Sequence, residues 1–235
     1  MPSGNKLPRM THRVRSQVAQ DGAVFRALLW SLIALALAIG FAVLGGEMAE
    51  GDTKAFDQYL LGAATALRAA HPWLSGVMRD LSGLGSTTVL TLTTVAAVGY
   101  LALLGTRSTA LMVALSASTG SALVSVLKWG YGRLRPDPAS ADFVATGLSF
   151  PSGHATSSAV VYLTLGVLFA STRVRLAERA YIVGVCAVVT ALVGLSRVLL
   201  GVHWATDVLG GWAIGAAWAM VWLLVSRMTT EKKSA

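Results

Sequence analysis

Long apolar segments separated by short polar ones run through most of the chain. Six of these segments hold roughly 18 or more mostly apolar residues, enough to cross about 30 Å of hydrocarbon as α-helices that rise about 1.5 Å per residue. Their predicted positions are 24–45, 86–105, 108–127, 153–171, 180–200 and 204–226. We therefore expect an all-α fold, a polytopic membrane bundle of six transmembrane helices, with a short outer loop region between helices 1 and 2.

The last two predicted spans nearly touch, and a few polar residues separate them. These residues are Ser196, Arg197, His203 and Asp207. Because polar groups of this kind cannot face lipid cheaply, they indicate either a membrane interface or a protein interior.

Composition agrees with a membrane protein: 54% of the 235 residues are hydrophobic, 13% are charged, and the mean hydropathy is +0.64. The spans use most of the length, so we predict a single membrane domain over residues 1–235. Residues 1–22 are polar and basic, and the apolar run after them is too long for a signal peptide, which favours a cytoplasmic tail. The single cysteine, Cys186, predicts neither an intrachain disulfide nor a cysteine-based metal cluster.

The net charge of +8 could suggest a nucleic-acid partner, but the charges divide by side of the membrane. Lys and Arg dominate one side, whereas Asp and Glu dominate the other. The positive-inside rule then places both termini in the cytoplasm, and the loops 46–85, 128–152 and 197–207 at the periplasmic or extracellular face of the plasma or inner membrane. We therefore expect the bilayer as a partner and no nucleic acid, while the oligomeric state is left open. The cations that break this pattern on the outer side are Lys128, Arg135 and Arg197, with Arg133 near them.

The first cluster of polar residues lies at the end of the third span. Lys128 and Arg135 flank a glycine-containing turn, and Pro136 stops any helix that reaches it. Two cations at a turn could clamp an anion. They could equally be a basic anchor whose side chains extend to lipid head groups.

The second cluster, Pro151-Ser152-Gly153-His154, opens the fourth span. The first turn of a helix has unpaired N–H groups and a partial positive charge, so it favours a bound phosphate. The alternative is an ordinary N-cap at Ser152, with His154 as a polar interface residue.

The third cluster contains Ser196, Arg197, His203 and Asp207. On a helix the spacing of four residues puts His203 and Asp207 on one face, so the carboxylate can accept a hydrogen bond from one imidazole nitrogen. The other nitrogen would then be free to attack a substrate. A purely structural His–Asp pair that holds the helix end is the alternative.

Together the three clusters fit a phosphoryl group. Phosphoryl transfer needs positioning, positive charge at the equatorial oxygens, a nucleophile and an acid for the leaving group. His154, His203 and Asp207 are surrounded by cations and not by further carboxylates, which disfavours a Mg²⁺ or Zn²⁺ site. We predict neither a metal nor another cofactor.

The three clusters also resemble the signature of the type 2 phosphatidic acid phosphatase superfamily, in its bacterial membrane branch. In this chain the signature reads Lys128-x6-Arg135-Pro136, then Pro151-Ser152-Gly153-His154, then Ser196-Arg197-x5-His203-x3-Asp207. It extends over positions 128–207 in the order and spacing of that family. The resemblance implies a metal-independent lipid phosphate phosphatase.

The resemblance also implies a role for each residue of the signature. His203 would attack phosphorus and form a phosphohistidine, and Asp207 would orient it. His154 would protonate the departing oxygen and then activate water. The implied phosphate-binding residues are Lys128, Arg135, Arg197, Ser152, Gly153 and Ser196.

The expected substrate is a lipid phosphate or diphosphate, with undecaprenyl diphosphate as the best guess, because a released isoprenoid carrier is dephosphorylated on the outer side. Phosphatidylglycerophosphate, phosphatidic acid, lipid A 1-phosphate and a lipid phosphotransferase reaction stay open. A transporter or scaffold would need charges in the middle of spans, and we find none there.

Several polar and aromatic residues are assigned no catalytic role. Asp57 and Arg79 could contact a lipid head group, but we interpret them as solvated charges at the interface. We interpret Gly211 and Gly215 as a close helix-packing pair. The predicted bilayer anchors are Trp73, Trp129 and Trp204.

Overall fold

A computed structural model describes the backbone of residues 7–234 and the side chains of residues 22 and 24–226. The predicted cytoplasmic tail, residues 1–22, falls almost wholly outside the described side chains, and its location stays a prediction. The helices are α1 (Leu7–Glu50), α2 (Lys54–Ala70), α3 (Trp73–Gly83), α4 (Thr87–Leu103), α5 (Arg107–Tyr131), α6 (Gly153–Ser158), α7 (Thr164–Ser171), α8 (Leu176–Leu199) and α9 (Ala205–Ser234). A π-helical turn, Ala159–Leu163, joins α6 to α7, and residues 7–234 contain no strand.

Six helical segments in the described part are long and apolar enough to cross a membrane, which confirms the predicted all-α membrane bundle. Their bounds are Val24–Glu50, Trp73–Leu103, Arg107–Tyr131, Gly153–Ser171, Leu176–Leu199 and Ala205–Ser226. The second segment begins earlier than predicted because α3 precedes α4 with only a short turn between them.

The segment between α1 and α4 consists mainly of helices α2 and α3, where the sequence predicted only an outer loop region, and α3 forms the start of the second membrane-crossing segment. α2 ends at Ala70, just before Pro72, because the residue that precedes a proline disfavours helical backbone. Both helices pack against α8. They form a cap at the end of the bundle where the loops 132–152 and 200–204 also lie.

α5 ends at Tyr131 because Gly132 takes the left-handed conformation, with φ of +63°. The Gly132 N–H donates to the Lys128 carbonyl at 3.0 Å, a common C-terminal helix cap that glycine adopts at least cost. The glycine therefore ends this helix, and Pro136 lies beyond it. The chain leaves α5 with Lys128 on the last turn and Arg135 on the loop.

α9 packs against α1 and α6 and brings the second and third motifs together. A Cβ at Gly211 would lie 3.0 Å from the Ser152 carbonyl oxygen, and one at Gly215 would lie 2.6 Å from the Thr156 carbonyl oxygen. This close approach is the helix packing predicted for the glycine pair. It places the start of α6 beside the start of α9.

An aromatic cluster lies where α1, α5 and the loop before α6 meet. The Phe150 ring stacks on Phe41 with centroids 5.4 Å apart, and Tyr131 meets the Phe150 ring edge-on at 4.8 Å. Phe150 is fully buried. The cluster anchors the loop that leads into the second motif, because aromatic burial and edge-on contacts both favour a fixed position.

Candidate active site

His203 lies in the short turn between α8 and α9, and its imidazole is buried. Its Nδ1 lies 3.1 Å from Oδ2 of Asp207. Because an ionised carboxylate only accepts hydrogen bonds, Nδ1 carries the hydrogen and Nε2 keeps its lone pair. The predicted pairing is present, although His203 precedes the helix, which begins at Ala205.

Asp207 accepts hydrogen bonds from three further groups. Its Oδ2 binds the Ser149 hydroxyl and the Trp204 N–H, the latter at 2.9 Å, and its Oδ1 binds Nη1 of Arg133 at 2.7 Å. The bond to Trp204 satisfies a backbone donor at the start of α9, as an acidic residue in the first turn commonly does. The carboxylate that orients His203 is thus fixed on both of its oxygens.

Burial lowers the pKa of His203 from 6.5 to about 4, although the hydrogen bond and the charge of Asp207 raise it. A pKa this low leaves the imidazole neutral at pH 7, as a nitrogen nucleophile requires. Nη1 of Arg135 lies 3.0 Å from Nε2. A guanidinium can only donate, which agrees with the lone pair on Nε2.

Lys128 and Arg135 are held by carbonyl oxygens of the loop that follows α5. Nζ of Lys128 donates to the carbonyls of Leu148 and Ser149, the second at 3.1 Å. Nε of Arg135 donates to Gly147 at 3.0 Å. Burial lowers the pKa of Arg135 from its ordinary value, which nearby Asp207 partly offsets, but an arginine stays charged at pH 7. Both cations keep donors for an anion.

Arg197 is the third cation, and it is buried at the end of α8. Its Nη1 donates to the Ser82 hydroxyl on α3 at 2.5 Å, and its Cζ lies 5.5 Å from the centre of the Phe143 ring. Nε of Arg197 is buried without a hydrogen-bond partner among the described residues. A buried charged donor with this free capacity suits a bound anion.

Ser152 precedes α6, and its backbone N–H donates to the Asp207 carbonyl at 2.9 Å. Its hydroxyl does not cap the helix and has no hydrogen-bond partner within the described part of the chain, although the residue is fully buried. The ordinary N-cap considered as an alternative is therefore not formed. A buried hydroxyl beside the α6 amides offers a further donor to a phosphate.

His154 lies within electrostatic range of His203 and of all three cations, Lys128, Arg135 and Arg197. Together with Gly153 it lines the head of a cavity of about 700 Å³ between α4 and α5. The predicted catalytic residues and cations therefore converge at one end of the bundle. Ser196 differs, because its buried hydroxyl donates to the Val193 carbonyl at 2.7 Å, and its phosphate-binding role stays a prediction.

Comparison with known proteins gives the family. The model of the PAP2 superfamily matches residues 108–231, which is more than half of the 235-residue chain and includes all three motifs. The chain belongs to the PAP2 superfamily. This confirms the family predicted from the spacing of the three motifs.

Similar PAP2 proteins come from several bacteria. The chain is 33% identical to phosphatidylglycerophosphatase B of Bacillus subtilis over 77% of its own length and 88% of that protein. It is 35% identical to decaprenylphosphoryl-5-phosphoribose phosphatase of Mycobacterium tuberculosis, over 62% of this chain and 77% of that protein. The crystal structure of a transmembrane PAP2 type phosphatidylglycerolphosphate phosphatase from Bacillus subtilis superposes with a TM-score of 0.71 at 30% identity, over 85% of this chain and 96% of that one. These findings confirm the coarser prediction, a membrane-bound lipid phosphatase of PAP2 type.

Some residues around the site were missed or misinterpreted from sequence. Asp57 is not a solvated charge, because it is 1% exposed and bonded to Arg133. Arg79, by contrast, is largely exposed and pairs with Asp142. Trp204 is half-buried and donates from Nε1 to the Leu134 carbonyl, so it is more than a bilayer anchor.

Exposure separates the other two predicted anchors from Trp204. Trp73 and Trp129 are 65% and 85% exposed, as side chains at a bilayer surface should be. Ser149 was missed because one serine in a loop carries no pattern. The role of Arg133 was also missed. The sequence signal that could have revealed it is the presence of a third cation between Lys128 and Arg135 in the first motif.

Proposed function

We propose that the chain hydrolyses the phosphate or diphosphate of a membrane lipid through a phosphohistidine at Nε2 of His203, without a metal ion. The observation that carries this proposal is the orientation of His203. Asp207 holds its Nδ1 at 3.1 Å, and its Nε2 points to the guanidinium of Arg135. A neutral imidazole whose free lone pair faces a cluster of cations is suited to attack a phosphorus atom whose charge those cations bind.

In the first step the lone pair of Nε2 forms a bond to phosphorus while the bond from phosphorus to the lipid oxygen breaks. His154 donates a proton to that oxygen, and Asp207 stabilises the positive charge that develops on His203. The cations Lys128, Arg135 and Arg197 bind the equatorial oxygens. The Arg135 donor that now faces Nε2 would bind a substrate oxygen when phosphorus approaches.

In the second step His154, now neutral, takes a proton from water. The water oxygen attacks phosphorus, the bond to Nε2 of His203 breaks, and inorganic phosphate leaves. The same cations serve both steps because the charge on the transferred group is the same. A lipid alcohol as acceptor in place of water would make the protein a phosphotransferase, which the product of the assay distinguishes.

The cavity between α4 and α5 supports a substrate with a hydrocarbon chain. We call it the α4–α5 groove; it extends from Gly153 and His154 along α4 from Thr87 to Gly99. From Thr87 to Gly99 the helix advances by twelve residue steps, which correspond to about 18 Å. Val95 is exposed beside the groove, so the groove opens onto the lipid-facing surface. A lipid tail can lie there while its phosphate reaches His203.

Undecaprenyl diphosphate remains our first candidate substrate, since the charge distribution of the loops supports a site on the outer face and cytoplasmic termini. A second candidate is phosphatidylglycerophosphate. It is favoured by the similarity to phosphatidylglycerophosphatase B of Bacillus subtilis, which extends over 77% of this chain. Both lipids place a terminal phosphate outside a long hydrocarbon tail.

Metal independence is tested by chelation. Protein purified in detergent with excess EDTA should release phosphate from both candidate lipids at the rate of untreated protein, because cations of the chain provide the charge a metal would supply. In the described part of the chain, no three His, Cys, Asp or Glu side chains are grouped to hold a metal ion, which supports this expectation. A loss of activity that added Mg²⁺ or Zn²⁺ restores would contradict it.

Gly99→Phe tests the α4–α5 groove. A Cβ at Gly99 would meet no atom within 4 Å, so the ring can enter the groove without disturbing the helices. Displacing about two methylene groups of the tail should lower kcat/KM for a long-chain lipid phosphate roughly tenfold. A short-chain analogue should be hydrolysed as before.

Gly76→Phe is the matched control for this variant, since Gly76 on α3 also faces open space but does not line the groove. It should leave both substrates unaffected. Equal losses on long and short chains in Gly99→Phe would show that the groove does not hold the tail.

A further inference from the structure

A buried polar network connects α2, which lies outside the PAP2 signature, to the carboxylate of the active site. Asp57, on α2, is 1% exposed. Its Oδ2 accepts hydrogen bonds from Nη2 of Arg133 and from the Thr206 hydroxyl, both at 2.6 Å, and its Oδ1 accepts from the Thr206 N–H at 3.0 Å. Asp57 is thus bonded to Thr206, which adjoins Asp207 in the chain, and to Arg133, which lies two positions before Arg135.

Arg133 links this carboxylate to the one that orients the nucleophile. Its Nη1 donates to Oδ1 of Asp207 at 2.7 Å and lies at the same distance from the Thr206 hydroxyl. The Arg133 side chain is 12% exposed. One guanidinium therefore lies between two buried carboxylates and uses both of its terminal nitrogens, a geometry that a lysine cannot reproduce.

The two oxygens of Asp207 bond to different partners and serve different purposes. Oδ1 is held by Arg133, whereas Oδ2 accepts from Nδ1 of His203. Holding one oxygen fixes the plane of the carboxylate, and the plane fixes the direction in which His203 presents Nε2. The charge of Arg133 also weakens the pull of Asp207 on the imidazole, and Asp57 offsets that charge in turn.

We propose that Asp57 and Arg133 are positioning residues that act on His203 through Asp207, setting both its orientation and its basicity. The inference deepens the proposed function and rests on His203 as the nucleophile. It gives α2, which lies outside the region matched by the family model, a part in the reaction.

Because Asp57 and Arg133 carry opposite charges, removing each of them should shift the pH dependence of kcat in opposite directions, and this tests the inference. The readout is the acid limb of the pH profile of kcat, the pH range in which kcat falls as His203 becomes protonated. Asp57→Asn removes a negative charge near His203, so the protonated imidazole is less stable and the acid limb moves to lower pH. Arg133→Gln removes a positive charge, so the acid limb moves to higher pH. Each shift should be on the order of one pH unit. Both variants should lower kcat roughly 10- to 100-fold, because His203 is misdirected, with KM within about twofold.

Two further variants separate charge from geometry and guard against misfolding. In Asp57→Asn/Arg133→Gln the charge changes cancel, so the acid limb should return toward that of the unmodified protein. Arg133→Lys keeps the positive charge but cannot bond both carboxylates through two terminal nitrogens, so it should lower kcat with little shift of the acid limb. The melting temperature of each variant in detergent shows whether it is folded.

Arg68→Gln is the matched control for a purely structural role of α2. Arg68 also attaches α2 to the bundle, by donating to the carbonyls of Leu199 and Ser140, but has no bond to His203 or Asp207. It should leave the acid limb in place.

Shifts of the same sign in Asp57→Asn and Arg133→Gln, unchanged kcat in Asp57→Asn, or an equal shift in Arg68→Gln would each overturn the inference. An active His203→Ala protein would instead refute the proposed nucleophile. The two failures are therefore distinguishable.

Discussion

His203→Ala is expected to lower kcat for lipid phosphate hydrolysis by at least about 10⁵-fold, since removing a nucleophile costs close to the whole contribution of a catalytic unit. Neither of the two side chains bonded to its Nδ1 can replace it. The hydroxyl of Ser149 and the carboxylate of Asp207 are bonded to each other, and both are buried beneath the imidazole. The measurement is phosphate release at saturating substrate, with protein purified in detergent.

Asp207→Asn keeps the shape of the orienting residue and should lower kcat about 10⁴-fold, as when the carboxylate of a catalytic triad becomes an amide. An amide can donate to Nδ1, so the imidazole can take the other tautomer and carry its hydrogen on Nε2. The nucleophile would then be present but blocked. Its loss should be smaller than that of His203→Ala.

The control for both variants is His71→Ala. His71 is an exposed histidine at the end of α2, where its ring faces Trp73 with centroids 6.2 Å apart. Its replacement should leave kcat unchanged, which would exclude a general effect of losing an imidazole from the cap formed by α2 and α3. Substantial turnover by folded His203→Ala protein would refute the assignment of the nucleophile.

Features of the site that depend on residues close together in the sequence could be predicted from the sequence. His203 and Asp207 are four positions apart, so their contact needed only a local turn, and it forms even though His203 precedes α9. The six spans follow from length and hydropathy alone. Lys128 and His154 mark span ends, and a bundle whose loops meet at one end brings such residues together.

The buried network could not be predicted in this way. Asp57 and Thr206 are separated by 149 positions, and no periodicity connects them. Asp57 lies on a helix whose other polar residues are largely exposed, so a solvated charge was the reasonable interpretation. Its burial depends on how α2 folds over the bundle, which is a tertiary property. The contact between Arg197 and Ser82, which are 115 positions apart, also depends on tertiary packing and could not be predicted from the sequence.

His154→Ala should have an effect that depends on the leaving group, because His154 is proposed to act in both steps. For an alkyl lipid monophosphate, whose leaving oxygen needs a proton, kcat should fall about 10²- to 10⁴-fold, the usual contribution of a general acid. For nitrophenyl phosphate the departing oxygen is stable without a proton, so the first step should proceed nearly as before. The second step still lacks its base, and phosphohistidine should accumulate.

Rapid mixing of His154→Ala protein with nitrophenyl phosphate should therefore give a burst of nitrophenol that approaches one equivalent per protein, followed by slow turnover. The trapped phosphoprotein should be labile to acid and stable to base, as expected of a phosphorus–nitrogen bond. His203→Ala protein is the control, and it should show no burst. A His154→Ala protein that loses the same factor on both substrates and shows no burst would contradict the double role. His154 would then belong with Lys128, Arg135 and Arg197 as a phosphate-binding group, because a residue that only binds phosphate affects every leaving group alike.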